Sequence, residues 1–141
     1  MNHLINDAAS IQHKLSEDAH QFSLALECKE LARKARDTAK EVYAEQEANF
    51  LFDLTFGDED YLKAKNVPDR ETVKDAKLIT ARTRGTLSQA WRALSSASEN
   101  LSDAETALTQ ADIRYKAVRV AAELHSSTMR LAANFTETLR Y

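Results

Sequence analysis

The chain has 141 residues, 19 basic and 22 acidic side chains and a formal net charge of −3, which removes any global attraction to nucleic acid or to an anionic membrane. Two glycines, one proline and a 29% charged, 43% hydrophobic make-up exclude a loop-rich fold and disorder and suit long helices in one domain. A single cysteine, Cys28, excludes an internal disulfide, fits a reducing compartment and reads as a small buried hydrophobe.

The first helix is expected over about residues 6–56, capped by Asn6 or Ser10. No Gly or Pro interrupts it. Ile11, Leu15, Phe22, Leu31, Ala35, Ala39 and Val42 step along it mostly by three, four or seven, the helical period. No basic segment followed by an apolar run opens the chain, so no signal peptide is expected, and no window is apolar for the length that spans a bilayer. The expected location is cytoplasmic.

Residues 57–68 are expected to form the connection. Gly57 ends the first helix, Asp58 caps a short turn, and Asn66-Val67-Pro68 re-aims the chain into the next helix start at Pro68-Asp69. Just before it, Phe50-Leu51-Phe52-Asp53-Leu54-Thr55-Phe56 is the most apolar stretch. It reads as a satellite core with Tyr61, Leu62, Val67 and Val73, or else Phe50, Phe52 and Phe56 form an exposed patch for a partner protein.

The second helix is expected over about 69–125, followed by a C-terminal extension, 126–141, that Ser126-Ser127-Thr128 weakens. Every seventh residue from Leu87 is leucine (Leu87, Leu94, Leu101, Leu108), and every seventh from Ala90 is alanine (Ala90, Ala97, Ala104, Ala111). The two rows interleave as an a/d seam, in which leucine fills volume and alanine lets another backbone approach. The seam extends upstream through Ala76, Thr80 and Thr83, and downstream through Tyr115, Val118, Ala122, His125, Met129 and Ala132. Gly85 inside it marks a bend or a tight contact. The expected fold is all-α: a long antiparallel helical hairpin, coiled-coil-like, assembling through its remaining apolar faces into an oligomeric helical bundle, most simply a dimer.

Charge is unevenly spread. Seven acidic and no basic residues lie between Glu41 and Leu62, and six basic against two acidic between Arg70 and Arg92. Arg70, Lys74, Lys77, Arg84 and Arg92 fall within an arc of about 80° and run for roughly 33 Å along a helix. Two readings stay open. The acidic end of the first helix folds back on the basic start of the second, or the arc tracks single-stranded DNA, with Trp91 beside Arg92 as a stacking surface.

Catalytic chemistry finds little to work with. The sequence has no phosphate-binding glycine loop, cysteine pair, His-Glu-x-x-His or serine elbow. Glu17-x-x-His20 has the spacing of carboxylate di-iron bundles but occurs once, and those sites need two copies and further glutamates. His125 falls on the seam as a structural histidine. No cofactor, metal site or catalytic residue is expected, and the chain is expected not to be an enzyme.

Lys65, Asn66 and Arg70 open the long Ala/Leu helix, and Tyr115, Lys116, Ala117 and Arg119 follow near its end. This layout resembles small helical early-region proteins of tailed phages. Recombination-mediator proteins of the UvsY type are a looser analogue. The resemblance implies a non-enzymatic oligomeric accessory protein in phage DNA recombination or replication, located in the host cytoplasm, with weak single-stranded DNA contact. The alternative is a protein-interaction module or inhibitor of a host factor that binds no nucleic acid.

Overall fold

The computed structural model describes residues 2–140, with side chains from 7 to 139. The protein is all-α, with four packed helices: α1 (Asn2–Gly57), α2 (Glu59–Lys63), α3 (Val67–Arg84) and α4 (Ser88–Arg140). None of them is long and apolar enough to cross a membrane.

Local chemistry sets the ends. α1 already runs at Asn2, so the expected caps Asn6 and Ser10 lie inside it. Asp58 caps α2, its carboxylate accepting from the Tyr61 N–H at 3.0 Å. Asn66 caps α3 by accepting from the Asp69 N–H at 2.9 Å, with Pro68 in the first turn, where its missing N–H costs nothing.

The expected second helix is broken in two at Gly85. The chain turns back so closely that a Cβ on Gly85 would sit 2.8 Å from the Cα of Ala81. The Gly85 and Leu87 N–H groups both donate to the Ala81 carbonyl at 3.1 Å. The break also moves the covered face. Upstream of it Ala76, Thr80 and Thr83 are exposed, while Val73, Leu78 and Ala81 turn inward.

The C-terminal extension is not a separate element. Ser127 and Thr128 donate their hydroxyls to the carbonyls of Glu123 and Leu124 four residues back, so the hydroxyls are satisfied without leaving the helix. α4 therefore continues to Arg140, although the side chains of residues 130–139 are all exposed and Ala132 is not part of a covered stripe.

Contacts divide the chain into two compact units: Met1–Glu30 with Asp103–Tyr141, and Leu31–Ser102. In the first, the early part of α1 meets the late part of α4, and the Phe22 and Tyr115 rings stack 6.0 Å apart. The covered positions there are Ile11, Leu15, Asp18, Phe22 and Ala25 on α1, and Ala104, Leu108, Ala111, Tyr115, Val118, Ala122, His125 and Met129 on α4. Cys28 is exposed, correcting its expected burial; the stripe passes through Ala25 and Lys29 instead.

In the second unit Tyr43, Ala81, Leu87 and Ala90 form the core, with Phe50, Leu78 and Leu94 packed against it. α3 runs antiparallel to the end of α1: Arg82 reaches Glu47, and Lys77 reaches Asp58 beyond the end of α1. Leu87 is 2% exposed, the most completely enclosed large side chain.

Candidate functional site

Three groups of residues are candidates: the Leu/Ala seam, the basic arc and the aromatic stretch before Gly57. On the seam, Leu87, Ala90, Ala97, Leu101 and Ala111 are buried, and Leu94, Ala104 and Leu108 half-buried. These residues hold the helices against each other; Ala104 and Ala111 also line a groove of about 740 Å³ with Asp18 and Ala25 of α1.

The facing stripe on α1 has the same three-four spacing, which the apolar residues alone do not reveal. In the first unit it runs through Ile11, Leu15, Asp18, Phe22, Ala25 and Lys29, and in the second through Ala32, Arg36, Ala39, Tyr43 and Phe50. Four of these slots are polar or charged, counting Tyr43, whereas Leu31, Ala35 and Val42, expected inside, are exposed. Lys29 and Arg36 can lay their aliphatic stems along the seam and keep their charged ends in water. Asp18 cannot do so. It is 9% exposed, and its Oδ2 is buried without a hydrogen-bond partner.

The basic arc is largely engaged inside the protein. The Lys77 ammonium sits 2.9 Å from Asp60 and 3.6 Å from Asp58. Lys74 pairs with Glu71 at 3.6 Å, and the Arg70 Nε donates to the Ala64 carbonyl. The hydrogen bond to Asp60, then the charge of Asp58, holds the Lys77 ammonium above its ordinary range; the same hydrogen bond holds the Asp60 carboxyl below its own. The Asp60 contribution to stability is thus present above its ordinary value and lost as pH falls through the lowered one. The Lys77 contribution is lost as pH rises through the raised one. Both groups are solvent-exposed, so salt screens the pair. Arg84 and Arg92 remain exposed.

Arg82, outside the expected arc, is the most elaborately held cation. Its Nε donates to the Tyr43 hydroxyl, a terminal nitrogen lies 3.5 Å from Glu47, and its guanidinium covers the Trp91 ring at 4.4 Å. Trp91 in turn packs on Tyr43 with ring centroids 5.2 Å apart. Burial, and next the hydrogen bond with Glu47, push the Tyr43 hydroxyl above its ordinary range. One face of Trp91 is thus committed to an internal cation–π contact, leaving the ring 36% exposed. The charge imbalance between Glu41–Leu62 and Arg70–Arg92 pointed to this region, but nothing in the sequence singled out Arg82.

The aromatic stretch divides. Leu54 is 4% exposed and Phe50 packs on the core, whereas Phe52 and Phe56 are 64% and 71% exposed, their rings 4.8 Å apart. Phe50 therefore does not belong to an outward patch, and Leu62 and Val67, expected in a satellite core, are exposed as well. A groove of about 410 Å³ runs beneath, lined by Phe50, Leu54, Lys77, Ala81 and Gly85 among others. Of its charged groups Asp53, Asp58 and Lys77, the last two are paired with each other.

Glu17 of the Glu-x-x-His pair lies 3.9 Å from His13 on an exposed surface, and His20 is exposed too. Among the described residues no group of three His, Cys, Asp or Glu side chains is placed to hold a metal ion. In comparisons with protein-family models, curated proteins and solved structures, nothing matches the chain.

Proposed function

We propose that this chain is a non-enzymatic helical association module, oligomeric through the apolar faces that its own helix pairing leaves open, and that it serves as an accessory protein holding other macromolecules. The exposure of large apolar side chains on both long helices carries this reading. Leu31, Phe52 and Phe56 on α1, and Ile113, Leu124, Leu131 and Phe135 on α4, are each more than 60% exposed. Scattered surface hydrophobics are ordinary, but aligned ones mark contact surfaces. Sedimentation equilibrium across the micromolar range tests it. The expected mass is at least twice the 15.8 kDa of one chain. The mass of one chain at every concentration overturns the self-associating module.

A role in phage DNA recombination or replication, with weak single-stranded DNA contact, is the second reading. Arg84 and Arg92, both exposed, together with the partly exposed Trp91 next to Arg92 in the sequence, favour it. The expected binding is weak, released by a few hundred millimolar salt and abolished in R84E/R92E, because so few phosphates are neutralised. Unchanged fluorescence anisotropy of a labelled oligonucleotide at low salt removes this reading and leaves the association module intact.

A further inference from the structure

α4 carries a second heptad pattern on the side away from its seam. Ile113, Val120, Leu124 and Leu131 are 52–70% exposed, and Phe135, in a position flanking them, is 66% exposed. At 100° per residue they centre about 200° round the helix from Tyr115, Val118 and Ala122. Ile113, Val120 and Ser127 occupy one slot of the repeat, and Ala117, Leu124 and Leu131 the other.

The residues just before the second slot and its continuation at Thr138 are all charged and alternate in sign: Lys116, Glu123, Arg130 and Glu137. Such flanking positions set the partner and direction of paired helices. If two copies cross antiparallel, with Val120 against Leu131 and Leu124 against Ser127, then Glu123 meets Arg130 and Lys116 meets Glu137. All four contacts occur twice under one two-fold axis. A parallel pair brings the same charges against Ala121, Thr128 and Phe135, none of which can answer them. Glu123, Arg130 and Glu137 make no ion pair among the described residues, whereas Lys116 holds Asp112 of its own helix at 2.8 Å. The Glu123–Arg130 pair therefore carries most of the argument.

We propose that the outer face of α4, from Ile113 to Leu139, is a two-fold antiparallel docking surface for the same face of a second copy of this chain. The proposal rests on the self-association put forward above and adds which surface forms it and in which direction. E123R and R130E each set like charges opposite one another at both crossings, so each variant should sediment as a single chain where the unchanged protein is twofold. That corresponds to a dissociation constant raised at least tenfold. An equimolar mixture of the two variants, and the swap E123R/R130E in one chain, should each recover the twofold mass.

Both positions are exposed, and circular dichroism checks that each variant stays helical. Single variants that associate like the unchanged protein, or a folded swap that does not recover, overturn the docking surface while leaving self-association standing. An unchanged protein that never exceeds the mass of one chain overturns both.

Discussion

Replacing Leu87 by alanine lowers the stability of the protein by about 2–5 kcal/mol, the range for truncating a large aliphatic side chain in a packed core. Leu87 is 2% exposed and clusters with Tyr43, Ala81 and Ala90. It also follows the tight turn at Gly85, and its own N–H closes that turn on the Ala81 carbonyl. A cavity there opens between three helices at once, and the backbone around Gly85 is too closely packed on Ala81 to collapse into it. Urea unfolding followed by circular dichroism reads the loss. A change below about 1 kcal/mol, typical of a surface substitution, would show that the cluster around Leu87 does not hold the unit together.

The second large effect has the opposite sign. Asp18→Ala stabilises the protein by about 1–3 kcal/mol, the cost of leaving a buried polar group unpaired. Asp18 occupies the slot that alanine fills at Ala25, Ala32 and Ala39, so the replacement needs no repacking. It also removes a carboxylate oxygen that is buried without a donor. The Tm should rise by several degrees. An unchanged or lower Tm would mean that Asp18 is satisfied in solution. A stabilised variant would make this aspartate a candidate for a contact the isolated chain does not make, since polar groups kept in a seam at a cost commonly fix register or partner.

The sequence carried the fold more clearly than the surface. The Leu/Ala repeat of α4 is legible because every slot from Leu87 to Ala111 is apolar, and the chain covers those slots. The α1 stripe has the same spacing but places Asp18, Lys29 and Arg36 on it. A search for apolar periodicity therefore drifts to Leu31, Ala35 and Val42, which face water. Asp58 was readable as a cap from its position before Glu59, whereas the next helix start was expected at Pro68-Asp69 and lies at Val67, capped by Asn66. The break at Gly85 was readable as a bend but not as a change of helical phase, because the close approach to Ala81 depends on tertiary packing. Arg70, Lys74, Lys77 and Arg84 lie on α3, but Arg92 lies on α4 beyond the break at Gly85, so the basic arc does not continue along one helix. Whether its charges looked outward or inward depended on where Asp58 and Asp60 would lie, and local spacing does not contain that. Arg82 was missed for the same reason: its partners Tyr43 and Glu47 are some forty residues away.

The junction between Arg84 and Ser88 acts on α4 as a reading frame acts on a message. One residue inserted or lost there turns everything after it by about 100°, carrying Leu94, Ala97 and Leu101 off the faces they now occupy and bringing polar neighbours in their place. Substitutions on the outer surface of α4 can accumulate one at a time, each with a local effect. The number of residues in that three-residue stretch admits no such gradual change, because a single indel alters every downstream contact together.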